Sequence, residues 1–116
     1  AVISDQIGSP TYAKGLANIC LYAAINKVRG VHHWSDAGVA SWYDFAVAIQ
    51  EIAVARKMLH TAIPIKAITT QDYPTPAKRP HYSVLDKTSL VSAFPELEPV
   101  HWRVQLSEMM SELNAA

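Results

Sequence analysis

Two adjacent cations, Lys78 and Arg79, sit in YPTPAKRPHYSVLD, the segment from Tyr73 to Asp86, which holds three of the chain's seven prolines. Pro80 biases Arg79 toward extended backbone. Pro74 and Pro76 remove freedom that the loop would otherwise lose on ordering. A stiffened loop that holds out a guanidinium suits two-pronged recognition of a phosphate or a carboxylate. The plainer reading is an arginine paired with a nearby acid, or a solvated one. A second stretch, SDQIGSPT, supplies Gln6, Pro10 and Thr11 ahead of a helix, and helix N-termini attract anions. Its plainer reading is a strand-to-helix connection.

The remaining reactive side chains read as structural. His32 and His33 are neighbours on an expected strand, so they point to opposite faces and cannot chelate one metal. His60, His81 and His101 have no ligand spacing. Cys20, Trp42 and Trp102 fall on apolar helix stripes and read as core, as do Met109 and Met110. Glycines 8, 15, 30 and 38 form no phosphate-binding loop.

The elements that must position these residues follow from periodicity and breakers. Val2–Ile7 reads as a strand, and Thr11 as the cap of a helix running to Lys27 with Leu16, Ile19, Cys20 and Ala23 on one face. VHHWS, Val31–Ser35, reads as a short strand. Ser41 and Asp44 resemble a capping box. They precede the clearest helix, striped by Trp42, Phe45, Ala46, Ile49, Ile52 and Ala53. Ile63–Thr69 alternates as a strand with Pro64 at its start, and Tyr82–Leu85 as another. Asp86 or Thr88 caps a helix ending near Phe94. Pro99 suits the first turn of a last helix that buries Trp102, Leu106, Met109, Met110 and Leu113. This order predicts a small α/β unit with about four helices on a few short strands. Val2, Ile3, Val31 and the Ile63–Thr69 strand are expected to keep apolar surface for chain outside these residues.

Composition narrows the function classes. The 116 residues suffice for one core, and half are hydrophobic. Ten acids balance ten bases, which gives no electrostatic footprint for nucleic acid or an anionic membrane. One cysteine rules out an internal disulfide and fits a reducing, cytoplasmic setting. No apolar run approaches the ~20 residues that span a bilayer, and no signal peptide is visible.

Three stretches, SDQIGSPTYAKGLA, GVHHWSDAGVASWYDFAVAI and YPTPAKRPHYSVLDKTSL, occur in an order and spacing that resembles the dTDP-4-dehydrorhamnose reductases. These are extended short-chain dehydrogenases/reductases acting on nucleotide sugars. The resemblance runs from Asp5 to about Glu112 and covers only the C-terminal part of that family. It implies that residues 1–116 are the substrate-binding lobe of a Rossmann-type enzyme. NADPH or NADH would be bound by an N-terminal Rossmann domain absent from this sequence. Residues four beyond Tyr12, Tyr22, Tyr43, Tyr73 and Tyr82 are Leu16, Asn26, Val47, Ala77 and Asp86, so the family's Tyr-x-x-x-Lys catalytic pair is not here.

By the same resemblance Arg79 would reach the substrate diphosphate, with Lys78 beside it and Gln6, Pro10 and Thr11 lining or supporting the cleft. The implied partners are a dTDP-sugar, the N-terminal domain and, with room left for it, a second copy. Two departures stand out. Tyr82 replaces the asparagine of the family's RPxNSxLD. Glu112 matches a glutamate described at a magnesium site in some bacterial members, but Lys14 stands where another acid is expected, so no metal is predicted. Two alternatives remain: a non-catalytic relative such as the methionine adenosyltransferase regulatory subunit, or a reductase or epimerase for another nucleotide sugar.

Overall fold

Strands of two residues and helices of up to fourteen make up the structure, a computed structural model describing residues 1–115. In chain order these are β1 (Val2–Ile3), β2 (Ile7–Gly8), α1 (Ala13–Ile25), β3 (Ala40–Ser41), α2 (Trp42–Ala55), β4 (Ala67–Ile68), α3 (Thr88–Ala93) and α4 (Trp102–Ala115). A 3-10 turn lies at Thr70–Asp72. The strands form two separate pairs. β1 runs parallel to β4, with Val2 opposite Ala67 and Ile3 opposite Ile68. β2 runs antiparallel to β3, with Ile7 opposite Ser41 and Gly8 opposite Ala40. Among the described residues no helix is long and apolar enough to cross a membrane.

The core lies where α2 meets α4. Ala40, Ala48, Ala53, Trp102, Leu106 and Met110 are buried there, and Phe45, Ile49, Ile52, Met58 and Met109 pack around them. Small residues at Ala48 and Ala53 let the two helices approach closely. Trp102 donates its indole N–H to the Val39 carbonyl at 3.2 Å and takes the edge of Phe45, ring centroids 6.2 Å apart. Arg56 ties the helices further, donating to the Ser107 carbonyl at 2.8 Å and to the Ser111 hydroxyl at 2.8 Å. The expected capping box forms. The Ser41 hydroxyl accepts from the Asp44 N–H at 3.0 Å, and the Asp44 carboxylate accepts from the Ser41 N–H at 2.8 Å.

Several expectations need correction. Val2–Ile7 is not one strand: Ser4–Gln6 turn between β1 and β2, which join different sheets. Val31–Ser35 forms no strand. Its contacts come from side chains instead, with the His32 ring held between the Ser89 hydroxyl and the Arg29 carbonyl. Thr11 does not cap α1: its hydroxyl donates to the Ser9 carbonyl, and Tyr12 occupies the cap position. The helix stops at Ile25, earlier than expected. Lys27 adopts φ 52°, while the N–H groups of Lys27 and Val28 return to the carbonyls of Ala24 and Ala23, a Schellman ending. Pro99 precedes α4 rather than entering its first turn.

The burial expectations also shift. No residue of α1 is fully buried, and Cys20 is exposed, not core. The helix hangs on its ends, through Tyr12 and Lys14 to Glu112 and through Tyr22 packed edge-on to Phe94. Trp42 and Leu113 are exposed as well, at 59% and 62%.

Candidate ligand-binding cleft

Backbone pairing brings three distant segments together. On one edge β2 pairs with β3. On the other, the Ile7 N–H donates to the His81 carbonyl at 2.8 Å, and the Ile7 carbonyl accepts from the Ser83 N–H at 2.9 Å. The Tyr82–Leu85 strand expected here shrinks to that single parallel bridge at Tyr82. Pro80, two residues upstream, has no N–H with which to extend it. The strand β2 therefore lies between the start of α2 and the end of the proline-rich loop.

Above it opens a cleft of ≈ 530 Å³. Its floor is the run Gln6–Thr11. One wall is Ala40, Ser41, Trp42 and Phe45. The other is Arg79, Pro80 and Ser83. Of the residues singled out in the sequence, Gln6, Pro10, Thr11 and Arg79 meet here. Lys78 is exposed and is not part of the lining. Among the described residues Arg79 makes no side-chain hydrogen bond and no ion pair, so the reading in which a local acid neutralises it does not hold.

The floor is fixed by side chains. The Asp5 carboxylate accepts from the Thr70 hydroxyl at 2.7 Å and from the Thr70 N–H at 2.9 Å. These bonds, the hydroxyl's first, hold the Asp5 carboxyl below its ordinary value. The Gln6 amide donates to the Thr70 hydroxyl at 3.3 Å, and the His81 ring bonds the Asp5 carbonyl at 2.9 Å. Ser9 donates to the Gly38 carbonyl at 2.7 Å. Gly38 has φ +81°, and a Cβ there would come within 2.5 Å of the His101 ring, so the turn requires glycine.

At the start of α1 the first N–H is already engaged: the Tyr12 N–H donates to the buried Asp36 carboxylate at 2.9 Å, and Pro10 has no N–H to offer. An incoming phosphate would meet a like charge there. Arg79 is thus the cleft's available cation. A larger depression, ≈ 690 Å³, runs along α4 past Ile52, Arg103, Glu108 and Glu112. Two of its charges are paired: Arg103 with Glu51 at 2.9 Å, and Glu112 with Lys14 at 2.6 Å. The Lys14 bond and then the Tyr12 bond hold the Glu112 carboxyl below its ordinary value. Beside Glu112 stands the Lys14 ammonium and not a second acid.

Sequence reasoning missed Ser9, Trp42, Phe45 and Ser83 as cleft residues. For Trp42 a signal existed. It directly follows the cap residue Ser41, so it sits at the very end of the helical stripe, past the stretch that α4 covers.

The chain matches the family model described as RmlD substrate binding domain over residues 1–115. A dTDP-4-dehydrorhamnose reductase from Aggregatibacter actinomycetemcomitans is 40% identical over 114 residues, covering 93% of this chain and 38% of that protein. The chain therefore spans well under half the length of that relative. A crystal structure of a dTDP-4-dehydrorhamnose reductase from Clostridium acetobutylicum superposes with a TM-score of 0.85 at 33% identity, over 97% of this chain and 38% of that one. The enzyme of that name from Bacillus anthracis, solved in complex with NADP, gives 0.82 at 27% identity, over 96% of this chain and 36% of that one. With the family model spanning all the described residues and the small four-helix α/β architecture shared with these structures, this chain belongs to the RmlD substrate binding domain family.

Proposed function

We propose that this chain is the substrate-binding part of a reductase that converts dTDP-4-dehydro-L-rhamnose to dTDP-L-rhamnose with NADPH or NADH, in the supply of dTDP-rhamnose for cell-surface polysaccharide. A cytoplasmic setting goes with that activity. The names of the relatives support the reductase over a regulatory-subunit role or a different nucleotide sugar. The observation that carries the reading is the unpaired Arg79 guanidinium in a cleft with an aromatic wall.

In this reading Arg79 takes the substrate diphosphate in its planar fork, and Lys78 adds positive potential from the rim. Gln6 offers its amide oxygen, which has no partner among the described residues. Thr11 supports rather than binds, because its hydroxyl already donates to Ser9 and accepts from the Asp36 N–H. Pro10 shapes the floor. The residues present do not fit a nicotinamide nucleotide: no glycine-rich turn precedes α1, and Asp36 holds the helix's first free N–H. Cofactor and hydride transfer belong to chain outside these residues, and the role of this part is to bind and orient the sugar nucleotide.

The test is calorimetric titration of dTDP into the full-length protein. Charge-assisted hydrogen bonds contribute roughly 1.5–3 kcal/mol each. Arg79→Ala should therefore weaken dTDP binding by about tenfold to a few hundredfold, with NADPH affinity unchanged. Arg79→Lys should recover only part of the loss, since an ammonium keeps the charge without the fork. Equal affinity in all three proteins would overturn the role of Arg79.

A further inference from the structure

Trp42 is the residue of the α2 stripe that the fold does not use. Of the stripe's other members, Phe45, Ile49, Ile52 and Ala53 pack into or against the core and Ala46 is partly buried, whereas Trp42 stays 59% exposed. Among the described residues its indole N–H has no hydrogen-bond partner, and its ring has no aromatic or cationic neighbour. Trp102, by contrast, has all three. Leaving so large an apolar side chain more than half exposed forgoes burial that the fold would otherwise use. The backbone beneath it is nevertheless firmly set. Trp42 follows the doubly bonded Ser41–Asp44 cap and the β2–β3 pairing. A rigidly held, unsatisfied aromatic face borders a cleft whose opposite wall carries an unpaired guanidinium.

Those two features together select a ligand that joins a planar ring to an anion. We propose that Trp42 is the stacking face for the nucleobase of the ligand, with Phe45 one helical turn behind it closing the apolar wall. The proposal rests on the nucleotide-sugar reading above and adds a positioning residue to it. Stacking by an aromatic side chain reads the flat face of the base and not its edges. Trp42 should then hold the nucleotide end while Arg79 holds the diphosphate, fixing the ligand at two points and leaving the sugar to extend beyond them.

The experiment compares full-length wild type, Trp42→Ala, Trp42→Phe and Arg79→Ala for binding of dTDP by calorimetry. Inorganic pyrophosphate is measured by competition, and melting temperatures are recorded for each protein. Trp42→Ala should weaken dTDP about tenfold to a hundredfold. Trp42→Phe should restore most of that loss. Pyrophosphate should bind wild type and Trp42→Ala alike, and should be weakened only by Arg79→Ala. If wild type binds dTDP and Trp42→Ala binds it equally well, the stacking role is overturned while the nucleotide-sugar reading survives. If Trp42→Ala loses dTDP and pyrophosphate together with a lowered melting temperature, Trp42 is a packing residue and the proposal fails. A wild type that binds no dTDP overturns the reading beneath it as well.

Discussion

Asp5 shows how a single side chain near the surface governs the cleft floor. Its carboxylate gathers the hydroxyl and the N–H of Thr70, 65 residues away, and its own backbone carbonyl receives the His81 ring. The turn after β4 and the loop bearing Arg79 are thereby fastened to one residue. Because these hydrogen bonds favour the charged form, the folded-state value lies below the ordinary 3.8. A group lowered in this way stabilises the fold above the ordinary carboxylate range, and that contribution is lost as the pH falls through the folded value. Thr70→Val removes the strongest of the bonds. The variant should melt below wild type at neutral pH, and the gap should close as the pH falls below the ordinary carboxylate range and through the lowered folded value of Asp5. Melting curves between pH 3 and pH 7 check this. A gap of constant size across the range would mean that Thr70 acts through packing and not through the Asp5 charge.

Helix α2 starts at a capping box, and its first residues form a wall of the cleft. Ser41 is buried, and its hydroxyl and N–H both bond Asp44. Ser41→Ala should cost about 0.5–2 kcal/mol in denaturant unfolding. It should also weaken dTDP binding, because the backbone that carries Trp42 loses its anchor. Unfolding curves together with titration test both effects, and unchanged affinity would separate cap from cleft. This helix was legible in the sequence because a capping signal and a helical stripe coincide within it. The Arg79 loop was legible because prolines beside cations form a local signature. Gln6, Pro10 and Thr11 came to notice through family resemblance and a turn motif, with no periodicity behind them. The strands were legible only as regions: β1 and β4 fall within the expected Val2–Ile7 and Ile63–Thr69, but their bounds and β3 were not. Two-residue ladders are too short to impose alternation, and VHHWS, read as a strand, has no ladder partner. The face of α1 misled for a different reason. Leu16, Ile19, Cys20 and Ala23 have the right spacing, yet nothing among the described residues covers them fully.

The molecule as a whole is flat and open. It measures 46 × 38 × 21 Å, with a radius of gyration of 16.5 Å, against about 13 Å for a compact domain of this length. Its accessible surface is 8027 Å², where a monomer of this mass averages roughly 6,300 Å². Val31 and Ile63 are 86% and 67% exposed, as the sequence led us to expect, and Leu21 and Ile25 join them on α1. Val2 and Ile3 are half-buried, covered in part by β4. Surface of this extent suits a lobe that packs against further chain. If cofactor binding belongs to chain outside these residues, as proposed above, the isolated 116 residues mixed with dTDP-4-dehydrorhamnose and NADPH should consume none of the NADPH. A fall in its absorbance above the no-protein control would refute that. The pairing of Ile7 with Ser83 has a bearing on how the molecule comes into being. Those partners lie 76 residues apart, and closing so long a loop is entropically unfavourable until other contacts hold its ends near. A chain emerging from the ribosome presents the cleft's floor first and its aromatic wall next, and each waits with open backbone or bare rings. The arginine side arrives last. On the nucleotide-sugar reading, the binding cleft is then completed in one late step, and a ligand that binds the finished cleft favours the chains that have completed it.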